Sequence, residues 1–141
     1  LTRGEVDFDR DAALKLADRV VEPTSTEYLA VRLLVAGELE EDVESDLREK
    51  LLSWQNEDGG WGWRGGEPSD ALGTGYALYA LAKSGTDSDG LAAARKFLIE
   101  TQSESGRWDV PGTKKSAKGK TTATASDWGS AWAVIALAAS R

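Results

Sequence analysis

Apolar positions are distributed in two ways along this chain, and the two ways alternate. Residues 9–21 carry Ala13, Leu16, Ala17 and Val20 at helical spacing, with Arg10, Asp11, Lys15, Asp18 and Arg19 on the other faces. One dry stripe of this kind predicts an amphipathic helix. Pro23 ends it, and Thr24-Ser25-Thr26 offers hydroxyls to cap the next helix. Residues 27–36 are apolar nearly all round, Arg32 being the one charge after Glu27, which predicts a buried helix. The alternation then repeats. Residues 42–54 place Val43, Leu47, Leu51 and Trp54 on one stripe, whereas residues 70–83 are apolar around the circumference up to the stop at Gly85. Residues 89–102 carry Leu91, Ala94, Phe97 and Leu98 on one face, and residues 127–139 are uncharged after Asp127. No segment alternates at period two, so almost no sheet is predicted.

The enclosed segments also resemble one another. Thr26-Glu-Tyr28-Leu-Ala-Val, Thr74-Gly-Tyr76-Ala-Leu-Tyr79-Ala-Leu81 and Ser130-Ala-Trp132-Ala-Val-Ile135-Ala-Leu137 superpose without gaps, 48 and then 56 residues apart. Each has a hydroxyl residue, a spacer, an aromatic and then small or branched apolar residues. A helical period of this size predicts stacked αα-hairpins, none able to bury its apolar face alone. The expected architecture is all-α, with three αα-hairpins at about 9–37, 42–84 and 88–140 in a single domain over residues 1–141. Glycines and alanines such as Gly73, Gly75, Ala131 and Ala133 let the enclosed helices approach closely.

A second repeat lies between the helices. Gln55-Asn-Glu-Asp-Gly59-Gly-Trp61 and Gln102-Ser-Glu-Ser-Gly106-Arg-Trp108 share one spacing: Gln, three residues, Gly, one residue, Trp. A Gln at a helix end both donates and accepts, and so satisfies loose backbone groups there. The Gly permits a left-handed turn. The Trp lays a large flat surface over the junction. The motif reads as a clasp between neighbouring hairpins.

In these residues the chain resembles the QW repeats of the squalene–hopene cyclase and oxidosqualene cyclase family, and is more distantly similar to the α/α toroids of protein prenyltransferase β subunits. The matching stretches are Gln55 to Gly62 with Thr74 to Leu81, then Phe97 to Trp108 with Ser130 to Leu137. The resemblance covers residues 42–139; the first hairpin matches only in its inner helix. It implies a partial α/α toroid in which Gln55, Gly59, Trp61, Gln102, Gly106 and Trp108 are scaffold residues, each Gln bonding to the start of an adjacent outer helix. The family's catalytic motif is Asp-Xaa-Asp-Asp. The nearest string here is Asp87-Ser88-Asp89-Gly90, which ends in Gly and sits where Asp87 or Ser88 caps a helix. The zinc site of the prenyltransferases uses Asp, Cys and His, and this chain has neither Cys nor His.

Other chemistry narrows quickly. Without His or Cys there is no imidazole base, no thiolate nucleophile and no disulfide. Any metal would lie among carboxylates, as calcium or magnesium do. Gly60-Trp-Gly62-Trp-Arg-Gly65 fits the dinucleotide pattern but follows a helix, and Gly119-Lys120-Thr121 lacks the earlier Gly of a phosphate loop. Asp70 and Asp127 precede enclosed helices and read either as a carboxylate pair or, more simply, as carboxylates favoured there by the helix dipole. A net charge of −7 argues against nucleic acid. No apolar run approaches the ~18 residues of a membrane span. Residues 110–126 hold four Lys and no acid, so this loop carries +4 on a remainder of −11. Such a loop is a solvated excursion, a contact for an anion or lipid headgroup, or a strap across the acidic body.

Tyr76, Tyr79, Trp128 and Trp132 are the candidate contacts for an apolar ligand, ordinary core packing being the other reading. No catalytic, cofactor-binding or metal-binding residue is assigned. The chain begins Leu1-Thr2-Arg3 and lacks Met, so it reads as a segment of a longer protein. The expected partners are the remainder of that protein, or a second copy, through the open edges of the hairpin series. The expected function is a repeat domain that is non-catalytic by itself, acting as scaffold or binding module. The alternative is a fragment of a terpenoid cyclase whose acid motif lies elsewhere. The compartment stays open, with a bacterial, extracytoplasmic setting among those that fit.

Overall fold

The computed structural model of the chain describes residues 9, 11–12, 15, 24–114, 116–117 and 119–141. Among the described residues five helices follow one another from Thr26 onward: α1 (Thr26–Leu39), α2 (Glu44–Leu52), α3 (Ala71–Lys83), α4 (Asp89–Thr101) and α5 (Ala123–Ala139). Among the described residues there is no strand, only two isolated bridges, Trp61 with Asp70 and Pro111 with Thr121. The fold is all-helical. The apolar stripe expected at Ala13, Leu16, Ala17 and Val20 lies outside the described residues.

Helix α3 is the centre of the packing. It lies against α1 on one side and α5 on the other, with α4 also beside it and α2 beside α1. Its sequence explains the position: Ala71, Gly73, Thr74, Gly75, Ala77, Leu78, Ala80 and Leu81 are all buried, which encloses the helix on several sides. Gly75 sets the distance to α5. A Cβ there would stand 2.8 Å from the Trp132 carbonyl carbon, so any larger residue would push the two helices apart. The adjacent aromatics close the same seam, Tyr76 and Trp132 having ring centroids 4.5 Å apart and Tyr79 meeting Trp132 edge-on at 5.7 Å.

Helices α1 and α5 are less enclosed than their all-round apolar sequences predict. Val31, Trp128, Val134 and Ile135 are exposed, on helices that pack against α3 and, for α1, also against α2. The charge within α1 is accommodated by pairing, buried Arg32 meeting Glu41. Helix α2 carries an internal Glu44–Arg48 pair one turn apart.

The helix starts correct two expectations. Helix α5 begins at Ala123 rather than near Asp127, because Thr122 accepts from the Ala125 amide at 3.2 Å and caps it. Asp127 is therefore inside the helix, exposed, and bonded to Arg107 at 2.7 Å. Asp70 does cap α3, its Oδ1 accepting from Leu72 and Gly73 at 2.8 Å each, so no pair of N-terminal carboxylates forms. At α4, Ser88 occupies the cap position but its hydroxyl makes no capping bond.

Candidate functional site

The two Gln–Gly–Trp segments have closely matching internal geometry. In the first, Gly59 takes φ 85° and its amide bonds to the Asn56 carbonyl at 2.9 Å. In the second, Gly106 takes φ 81° and its amide bonds to the Ser103 carbonyl at 2.9 Å. Both dihedrals lie in the left-handed region that glycine enters without steric cost. The Gln closes each turn from above: Gln55 Nε2 donates to the Gly59 carbonyl at 2.8 Å and Gln102 Nε2 to the Gly106 carbonyl at 2.9 Å.

Each Trp then folds back beneath the helix it follows. Trp61 Nε1 donates to the Leu51 carbonyl at 2.8 Å, and Trp108 Nε1 to the Leu98 carbonyl at 2.8 Å. These are carbonyls of the last turns of α2 and α4, which lack an intrahelical partner for part of their capacity. Trp61 is 0% exposed and Trp108 2%, so the indole satisfies its one donor while burying its rings.

Helices α3 and α5 grip the same tryptophans through the hydroxyl that recurs in the enclosed segments, a link the sequence pattern left unread. Thr74 Oγ1 accepts from the Trp61 amide at 2.9 Å, and Ser130 Oγ accepts from the Trp108 amide at 3.1 Å. The signal was present: the hydroxyl recurs at one place in each enclosed segment. Spacing alone does not say which backbone group it meets.

The aromatic candidates divide. Tyr79 and Trp132 sit in the α3–α5 seam. Tyr76 joins that seam and also faces a recess of 310 Å³ whose walls include Trp63 and Trp128. Its hydroxyl bonds to Glu27 Oε1 at 3.0 Å, so the recess brings together residues from α1, α3, α5 and the turn after α2. Burial, followed by the Glu27 carboxylate, pushes the Tyr76 phenol up to about 12. Asp70 is also raised above the usual carboxylate range, burial outweighing the two amides that bond to it. Among the described residues no cluster of carboxylates is arranged to hold a metal ion, and no helix is long and apolar enough to cross a membrane.

The all-helical fold is accompanied by partial sequence similarity to terpenoid cyclases. A drimenyl diphosphate synthase of Streptantibioticus cattleyicolor is 43% identical over 40% of this chain and 10% of its own length. A squalene–hopene cyclase of Bradyrhizobium diazoefficiens is 42% identical over 42% of this chain and 11% of its own. A drimenyl diphosphate synthase of Streptomyces showdoensis is 43% identical over 40% of this chain and 11% of its own. The chain spans about a tenth of the length of these curated relatives. No family model matches it.

Proposed function

We propose that the chain is a squalene-cyclase-like repeat domain, part of an α/α toroid, that is non-catalytic by itself and serves as scaffold or binding module in a larger protein. The supporting observation is the use of both Gln–Gly–Trp segments. Each ties the end of one helix to the next apolar helix through a buried Trp. That leaves Gln55, Gly59, Trp61, Gln102, Gly106 and Trp108 as scaffold, with no Asp-Xaa-Asp-Asp string in the sequence. Asp70, whose protonated form burial favours, is committed to capping α3. Tyr76, Tyr79, Trp128 and Trp132 remain candidates for contact with a small apolar molecule. The open faces of α1 and α5 are where the rest of the parent protein or a second copy would continue the hairpin series.

A second reading is favoured by the three partial similarities: a fragment of a terpenoid cyclase whose acid motif lies outside these residues. Incubating the full-length protein with squalene separates the two. The module reading expects unchanged squalene, and a cyclic product detected by gas chromatography would overturn it.

A further inference from the structure

The two connections from Trp to hydroxyl differ in length. Trp61 meets Thr74 13 residues on, whereas Trp108 meets Ser130 22 residues on, so the second connection is 22 − 13 = 9 residues longer. The extra length forms an arm. At its base Val110 is 1% exposed, with its amide on Ser126 Oγ at 3.0 Å. The Thr122 amide bonds to the Val110 carbonyl at 3.2 Å and the Gly112 amide to the Lys120 carbonyl at 2.9 Å, which ties the two sides of the arm together. An insertion into one copy of a repeat often supplies the binding face of a repeat protein.

The arm carries charge of one sign. Between residues 110 and 126 the chain holds Lys114, Lys115, Lys118 and Lys120 and no acid. Lys114 and Lys120 are exposed, and among the described residues neither has an ion-pair partner. The opposite sign is gathered elsewhere. Residues 38–46, where α1 passes into α2, hold Glu38, Glu40, Glu41, Asp42, Glu44 and Asp46 and no base. Arg32 offsets Glu41 and Arg48 offsets Glu44, which leaves −4 there against +4 on the arm. Glu40, Asp42 and Asp46 are exposed.

The arm and the acidic segment of one chain stand apart. Thr113 of the arm and Glu27 in the first turn of α1 line the same recess. The acidic segment begins at the other end of α1, whose 14 residues span about 21 Å. We propose that the arm docks on the α1–α2 junction of a second copy of this chain. Two copies laid antiparallel make the contact twice, once at each end, and close as a two-fold dimer. An extended anionic surface fits the arm less well, because the remaining −11 of the chain is repelled as the arm approaches it. The contact goes beyond the module reading and leaves the apolar faces of α1 and α5 unused.

An interface of this kind has a recognisable signature. Exposed ion pairs are individually weak and are screened by salt, so the dimer forms at high protein concentration and low ionic strength. Association through the apolar faces would have no such dependence, since burial of apolar surface is not screened.

The test is analytical ultracentrifugation of the intact chain over a range of concentrations, at about 20 mM and about 500 mM sodium chloride. At low salt the mean mass should climb with concentration towards twice 15.1 kDa, and at high salt it should return to that of one chain. Two variants locate the contact. The first carries Lys114→Glu, Lys115→Glu, Lys118→Glu and Lys120→Glu; the second carries Glu40→Lys, Asp42→Lys and Asp46→Lys. Each should stay monomeric at low salt, with its helices intact by circular dichroism, whereas an equal mixture of the two should associate again. A native chain that is monomeric at low salt overturns the proposal, and so does association that high salt leaves unchanged. Association of either variant alone at native strength, or a mixture that stays monomeric, also overturns it. A monomeric chain that binds phosphatidylserine vesicles through the arm would assign the arm to lipid instead. None of these outcomes bears on the squalene assay, so the module reading stands or falls separately.

Discussion

The turns at Gln55 and Gln102 carry the same motif and nearly the same internal hydrogen bonds, yet their surroundings differ. Gln55 is half-buried and makes a further bond, Nε2 to the Gly90 carbonyl at 2.8 Å in the first turn of α4. Gly59 is buried against the same helix, where a Cβ would stand 2.7 Å from the Ala93 carbonyl oxygen. Gln102 and Gly106 are exposed, and a Cβ on Gly106 would meet nothing nearer than Gln102 Nε2 at 3.9 Å. The comparison separates two jobs within one motif. Closing the turn and seating the Trp need only the preceding helix and the hydroxyl of the next apolar helix. Gripping the start of another helix is an additional job, done by Gln55 at Gly90 of α4.

The largest effects should be the ones the two turns share. Trp61→Ala and Trp108→Ala should each lose about 3–5 kcal/mol by urea unfolding, since both indoles are buried and both leave a helix carbonyl without its donor. A loss at one site several kcal/mol below the other would break the equivalence. The glycines should diverge. Gly59→Ala combines a left-handed dihedral with a backbone clash and should cost about 3 kcal/mol, whereas Gly106→Ala has the dihedral alone and should cost about 1 kcal/mol. Equal losses would mean that α4 yields to the new methyl. The glutamines come next: Gln55→Ala removes two hydrogen bonds and should cost about 1–2 kcal/mol, against about 0.5 kcal/mol for exposed Gln102→Ala.

The smallest effect compares the helix starts that follow the two turns. Asp70 caps α3 and titrates; Thr122 caps α5 and does not. Because burial raises the Asp70 carboxyl above its ordinary 3.8, the folded state holds that proton more tightly than the unfolded state. Its contribution to stability is therefore full below pH 3.8 and is lost as the pH climbs past the raised value. Asp70→Asn keeps an acceptor for the cap without the buried charge. It should raise the melting temperature at pH 7 and leave it unchanged at pH 3. A lower melting temperature at pH 7 would show that the anionic cap outweighs its desolvation.

What the sequence revealed follows from how local each feature is. The all-helical composition, with helices α1 to α4 near the expected places, was legible because apolar spacing and cap residues are written within each segment. The start of α5 was not. Residues 123–126 read as loop by composition, and Thr122 competes with Asp127 as a cap; contacts across the fold decide, among them the Val110 amide bonding to Ser126 Oγ at 3.0 Å. The partial exposure of α1 and α5 was also hidden, since an all-round apolar sequence does not say how many neighbours a helix has. The recess was illegible for a similar reason. Glu27, Trp63, Tyr76 and Trp128 belong to four separate segments, and only the approach of α3 to both α1 and α5 brings them together.

The reach of the tryptophan bonds along the chain has a consequence for folding. Each indole finds its carbonyl only ten residues back, |i−j| being 10 for both Trp61 and Trp108, whereas the Gln55–Gly90 bond joins residues 35 apart. Loop-closure entropy is small for the first kind of contact and larger for the second. Each turn with its preceding helix is thus a unit that can nucleate early, and the bond from Gln55 couples one unit to the next. Both turns are closed by local bonds, and the Gln55 amide is one of the links that couple the first turn to α4, beside the packing of Gly59 on Ala93.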